Sequence, residues 1–171
     1  MSTKSFGDLS RNLLLSVHSV DGCSIIEFTD ADVTTLVAIE KTINPSPWSE
    51  ENFRSSLSRR HLCIGIQREQ EWLAYAVCSQ VVDEAELLII GVKKEEQGKG
   101  IGKALLTTLI ELIKPTARTL FLEVRESNQA AINLYQSVGF NCAGQRPNYY
   151  PAKEKNIDRE DALIFALELD F

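Results

Sequence analysis

The run Gln97-Gly98-Lys99-Gly100-Ile101-Gly102-Lys103 is the part of this sequence best suited to hold a charged ligand. Glycine lets a backbone approach closely and accepts positive φ. At the start of a helix, free N–H groups and the positive end of the helix dipole face the same space. That arrangement suits a pyrophosphate, and Lys99 and Lys103 add positive charge. Two nucleotide motifs compete, and both misfit. A Walker A loop needs Gly, four residues, then Gly-Lys-Ser/Thr. A dinucleotide fingerprint needs G-x-G-x-x-G, and here the third glycine falls one residue early. Glu123 does lie about 20 residues on, where a ribose-binding acid is expected. Taken alone, the run is also compatible with a glycine-rich turn that holds nothing.

Glu123 stands in Leu122-Glu123-Val124-Arg125 and Tyr135 follows Leu134. Read singly, the first is a strand carboxylate that is solvated or paired with Arg125, and the second a packed ring. They are also the residue types that serve as general base and general acid. The four cysteines, Cys23, Cys63, Cys78 and Cys142, form no C-x-x-C pair and fit no zinc or haem spacing. Reduced thiols are expected. Cys142 as an acyl carrier is the rival nucleophile, without a histidine signature to support it. His18 and His61 are isolated, and no metal is expected.

Positioning these groups falls to a mixed α/β order. Cys23 to Phe28 reads as a strand. Thr29 or Asp30 caps a helix from Ala31 to Ile43, ended by Asn44-Pro45-Ser46-Pro47. Ser49 starts a second helix, with Phe53 and Leu57 on one face. His61 to Gln67, Glu71 to Val82 and Ala85 to Val92 read as an antiparallel meander. Gly100 to Lys114 is amphipathic, with Ile101, Leu105, Leu109 and Leu112 on its apolar stripe. Thr119 to Val124 is a strand, Ser127 or Asn128 caps a helix through Val138, and Phe140 to Ala143 and Leu163 to Leu169 finish as strands.

The 171 residues suit one domain, with 44% hydrophobic and 25% charged residues. The net charge of −6 disfavours nonspecific nucleic-acid binding and favours a basic protein partner. No apolar run reaches the ~18 residues of a membrane span. Residues 1–23 read as a peripheral or flexible extension ahead of a domain at 24–171, without a signal-peptide pattern, so a cytoplasmic location is expected.

The pattern Gln97-x-x-Gly100-x-Gly102 resembles the coenzyme A pyrophosphate loop of the GNAT N-acetyltransferases. Leu122-Glu123-Val124-Arg125-x-Ser127-Asn128-x-x-Ala131-x-x-Leu134-Tyr135-x-x-x-Gly139-Phe140 looks like the strand and helix that follow it in that family. The resemblance runs from Ser24 to Leu169. Pro47-Trp48-Ser49-Glu50, together with Arg146-Pro147-Asn148-Tyr149-Tyr150-Pro151 and Glu160-Asp161-Ala162, is similar to the ribosomal-protein-alanine (RimI) type within it. One departure stands out: the strand before the loop usually reads Asn-Ile-Ala-Val in this type, and here it is Ile89-Ile90-Gly91-Val92.

The resemblance implies the GNAT fold, an α/β (α+β) arrangement with a central, mixed, mostly antiparallel sheet flanked by helices. That sheet splays into a V that holds acetyl-CoA. It implies acetyl transfer, by direct reaction in a ternary complex, to the N-terminal alanine of small-subunit ribosomal protein eighteen. A lysine, a small amine, or coenzyme binding without catalysis are the alternatives. Glu123 is the implied base and Tyr135 the implied acid. Ile90, Gly91 and Val92, the turn residues Gln97, Gly98, Lys99, Gly100, Ile101, Gly102 and Lys103, and Asn128 are the implied coenzyme contacts, with Gly91 suited to a β-bulge that frees backbone N–H groups. Trp48, Tyr149 and Tyr150 are the implied acceptor groove, and Glu50 or Asp161 would meet a basic tail. The implied partner is the ribosomal protein's N-terminus; charge and hydropathy lead us to expect neither nucleic acid nor membrane as a partner, and a monomer or weak dimer is expected.

Overall fold

The computed structural model describes residues 22–151 and 159–169, so the expected extension at 1–23 falls almost entirely outside the described residues. The elements in chain order are β1 (Ser24–Glu27), α1 (Val33–Ile43), α2 (Glu50–Ser58), β2 (Leu62–Arg68), β3 (Glu71–Val81) and β4 (Glu84–Val92). Then come α3 (Ile101–Ile113), β5 (Thr119–Arg125), α4 (Gln129–Val138), β6 (Asn141–Tyr150) and β7 (Glu160–Glu168). They build a seven-stranded sheet in the order β1-β2-β3-β4-β5-β7-β6. Every neighbouring pair is antiparallel except β4–β5, which is parallel because α3 carries the chain back between them.

Two apolar layers sandwich this sheet. Leu105, Leu106 and Leu109 of α3 and Ile132 of α4 pack on one face, against Ile64, Leu87, Leu122 and Phe165. Val33, Leu36 and Val37 of α1 and Phe53 of α2 pack on the other, against Trp72, Tyr75 and Val77. Each fully buried leucine contributes about 1.5–3 kcal/mol. Ser49 caps α2, its hydroxyl accepting from the Asn52 N–H while the Asn52 side chain answers back to Ser49 N–H.

Three sequence expectations are corrected. The last two strands are longer than Phe140 to Ala143 and Leu163 to Leu169. Pro147 lies inside β6, which it can do because β6 is an edge strand and proline removes only a solvent-side donor. The helix expected from Ala31 starts as a short 3-10 turn at Asp30–Asp32 and becomes α-helical at Val33, with Thr29 as cap residue. The third correction concerns the bulge in β4. It is not at Gly91, which pairs regularly with Tyr75. It lies at Leu88, since Val77 faces Ile89 while Cys78 faces Leu87. Gly91 is glycine for another reason: an added Cβ would land on the Tyr75 ring.

Candidate active site

The parallel pairing of β4 with β5 stops at Leu87↔Leu122. β4 continues to Val92 and β5 to Arg125 with no ladder between them, so the sheet forks. The bulge at Leu88 sets what β4 shows to this fork. Ahead of it Ala85 and Leu87 face the α3 layer; beyond it Ile90 and Val92 do. One inserted residue thus moves the pleat by a step. The Lys93 N–H donates to Leu73 carbonyl at 2.8 Å. By antiparallel alternation Gly91 and Ile89 bond towards β3, while the backbone groups of Ile90 and Val92 point to the open edge. The Gln97 side-chain amide caps the Val92 carbonyl at 3.0 Å.

Beneath the fork, the turn from Gln97 leads into α3. Gly98 and Gly100 hold φ of +74° and +83°, and a Cβ on either would meet no atom within 4 Å. The turn is thus unobstructed where it enters the N-terminus of a thirteen-residue helix. A cavity of about 600 Å³ runs along this turn, lined by Gly98, Gly100, Gly102 and Lys103 and by Ile90, Gly91 and Val92, with Asn128, Leu134 and Tyr135 opposite. The glycine turn and the helix end fit a pyrophosphate, and the free edge of β4 fits an extended, amide-bearing arm. Ile101 turns its side chain into the core and offers the turn its backbone. Lys99 pairs with Glu96 at 3.4 Å and stays outside the lining. Asn128 caps α4, its side chain accepting from the Ala131 N–H at 3.2 Å.

A second cavity, about 260 Å³, adjoins the first through Ile43, Ile90, Asn128 and Tyr135. Glu123, Trp48, Tyr150 and Ile89 also line it. Val124 belongs to the α3 layer, so strand alternation puts Glu123 and Arg125 on the opposite face. Tyr135 comes from α4, on the α3 side. The fork is an opening through the sheet, and groups from both faces meet in it. The Glu123 carboxylate pairs with Arg146 at 3.0 Å, rather than with Arg125, and accepts from the Tyr149 hydroxyl. Tyr149 is 41% exposed and lies outside this cavity, whereas Tyr150 lines it. Burial pushes the Tyr135 phenol above its ordinary value and that of Tyr150 to about 12, with the Glu123 charge adding to the second.

Glu50 and Asp161 are engaged internally. Glu50 pairs with Arg54 at 3.3 Å. Asp161 accepts from the Asn148 N–H at 2.7 Å and the Gln145 side chain at 2.5 Å, across the stretch of β6 where its pairing with β7 is irregular. Cys142 is exposed on β6 and lines neither cavity. No cluster of His, Cys, Asp and Glu able to hold a metal occurs among the described residues. Two wall residues escaped the sequence reading. Glu40 is 1% exposed and accepts from the Tyr75 hydroxyl, the Asn44 side chain at 2.8 Å and the Trp48 N–H at 3.2 Å. Arg125 is 8% exposed. A polar residue at a buried position of an amphipathic helix was the available signal for Glu40.

A glycine turn at a helix N-terminus, whose cavity opens onto a smaller one carrying a carboxylate and a buried phenol, is the layout of a coenzyme-dependent group transferase. The chain belongs to the GNAT acetyltransferase family, whose model matches residues 33–140. The [ribosomal protein bS18]-alanine N-acetyltransferase of Escherichia coli strain K12 is 42% identical over 147 residues, 85% of this chain and 97% of that one. The crystal structure of the ribosomal-protein-S18-alanine N-acetyltransferase from Escherichia coli superposes with a TM-score of 0.81 at 39% identity, covering 87% of this chain and 95% of that one. The Salmonella typhimurium protein yncA, solved with its cofactor acetyl-CoA, shares the fold at a TM-score of 0.71 and 21% identity, over 87% and 95% of the two chains.

Proposed function

We propose that this protein transfers the acetyl group of acetyl-CoA to the α-amine of the N-terminal alanine of ribosomal protein bS18, by direct transfer within a ternary complex. The observation that carries it is the meeting of Glu123 and Tyr135 in one small cavity that opens onto the glycine-turn cavity. The bS18-modifying relative, matched over nearly its whole length, supports the choice of acceptor.

Acetyl-CoA supplies the acetyl thioester. The amides of Gly98, Gly100 and Gly102 bind its pyrophosphate, with Gln97, Lys99, Ile101 and Lys103 completing the turn and Asn128 facing it. The outward backbone groups of Ile90 and Val92 orient the arm and carbonyl. Glu123 takes a proton from the α-amine, directly or through water. With an ordinary pKa of about 8, an α-amine loses its proton more readily at neutral pH than a lysine at about 10.4. Tyr135 gives its phenolic proton to the departing sulfur; burial keeps that proton in place until it is needed. Trp48 and Tyr150 flank the first residue, and the small volume favours alanine. A ribosomal acceptor is consistent with a cytoplasmic location.

Mass spectrometry of peptides incubated with the protein and acetyl-CoA tests the assignment. A peptide with the first residues of bS18 should be acetylated on its alanine α-amine, and an N-terminally blocked peptide with an internal lysine should not. Modification of the blocked peptide alone would move the acceptor to lysine.

A further inference from the structure

Arg125 ends β5 with its guanidinium buried and three separate segments attached to it. One Nη donates to the Pro151 carbonyl and pairs with Glu160, both at 3.1 Å. The other donates to the Ser46 hydroxyl at 3.2 Å, in the loop between α1 and α2. The guanidinium also lies over the Tyr150 ring, 4.5 Å from its centre. Glu160 uses its second oxygen to accept the Ser127 N–H at 2.6 Å, at the turn leading to Asn128 and α4.

These contacts fall on both walls of the smaller cavity. The loop carrying Ser46 and Trp48 forms one wall, and Tyr150 with the end of β6 forms the other. No strand ladder joins β4 to β5 at this level, since their pairing stops at Leu87↔Leu122. We infer that Arg125 is the positioning residue that latches the two walls of the acceptor cavity across the fork, fixing Trp48 and Tyr150 against the first residue of the acceptor. The inference rests on the reading that this cavity receives the acceptor amine.

The chemistry suits the task. A planar guanidinium presents donors in several fixed directions and stacks on an aromatic face, which a lysine ammonium cannot do at once. Lysine at 125 keeps the charge for Glu160 but cannot also span to Ser46 and Pro151. Ser46 contributes to the latch through its hydroxyl, so Ser46→Ala severs one arm and leaves the buried pair intact.

Arg125→Lys and Ser46→Ala are compared with the unaltered protein in two assays. In steady-state kinetics on the bS18 peptide, Arg125→Lys should raise the peptide KM roughly tenfold, the scale of a lost charge-assisted hydrogen bond. Ser46→Ala should raise it about threefold by the same loss at a more exposed site. Coenzyme affinity should not change in either variant. In amide hydrogen exchange, peptides spanning residues 44–49 should exchange faster in both variants, with α3 still protected. Unchanged exchange at 44–49, an unchanged peptide KM in both, or peptide KM and coenzyme Kd rising together would each overturn the latch. Should Arg125→Lys fail to fold, Ser46→Ala decides. If the unaltered protein leaves the peptide unmodified, the acceptor assignment has failed, and the exchange measurement still judges the latch.

Discussion

Glu123 and Tyr135 divide the proton traffic of the proposed reaction, and each can be removed with little change in shape. Glu123→Gln keeps a polar group beside Arg146 and Tyr149 but cannot take a proton. It should lower kcat by roughly 10²–10³ with coenzyme affinity unchanged; a full rate at pH 7 would exclude Glu123 as the base. Tyr135→Phe should lower kcat on the order of 10². The upward shift of the Tyr135 phenol also has a signature in the intact enzyme. Its acid form persists past pH 10, so it imposes no alkaline decline below that. The peptide kcat/KM should rise through about pH 8 as the α-amine loses its proton, then stay level to pH 10. A fall between pH 8 and 9.5 would show that burial does not hold the proton of the acid in place. Cys142 lies outside both cavities, and Cys142→Ala should turn over normally.

The fork between β4 and β5 is the element on which the site depends, and the bulge at Leu88 sets its orientation. Past the bulge, Ile90 and Val92 direct their backbone groups to the open edge while Tyr75 fills the space under Gly91. Tyr75 in turn donates to Glu40, which holds the Trp48 N–H. Gly91→Ala should therefore disturb both cavities, by forcing the Tyr75 ring off Glu40. Overpacking of this kind costs about 1–3 kcal/mol. The expected outcome is a lower urea midpoint together with a weaker acetyl-CoA affinity. A variant with an unchanged midpoint would show that the ring moves freely and that Gly91 is not a spacer. Gly100→Ala strains φ of +83° by about 1–2 kcal/mol and should weaken coenzyme binding through the same turn.

At the scale of the whole molecule, several neutral acids are buried in the folded state. Burial pushes the Cys63 and Cys78 thiols and the Tyr150 phenol up to about 12, and raises Tyr75 and Tyr135 further. In the unfolded chain thiols ionise near ~8.5 and phenols near ~10. Above those values the folded protein binds more protons than the unfolded one, so stability falls as pH rises. The contribution is fully present below about pH 8.5 and is lost progressively towards pH 12. Urea midpoints at pH 7.5, 9 and 10.5 should decline in that order; a flat series would show that these groups are already solvated.

Periodicity, caps and turn residues carried most of the element order. Ser49 before Glu50–Ser58 and the glycines before Ile101–Ile113 are local signals that the final packing did not override. The glycine turn and the segment from Leu122 to Phe140 were legible for the same reason: each is a local run, and consecutive residues are what a sequence displays. Strand ends at β6 and β7 were not legible, because Pro147 is tolerated there only on account of β6 being an edge. The bulge was misplaced from the glycine because its position depends on register with β3, a pairing between distant residues. Arg146 as the partner of Glu123, Glu40 as a wall of the smaller cavity and the contacts of Arg125 depend on the same kind of long-range placement. The sequence by itself determined most of the element order, the glycine turn before α3 and the family. The tertiary structure decided which face of the sheet each side chain occupies, and the unpaired ends of β4 and β5 opened the gap through which Glu123 and Tyr135, from opposite faces, line one cavity.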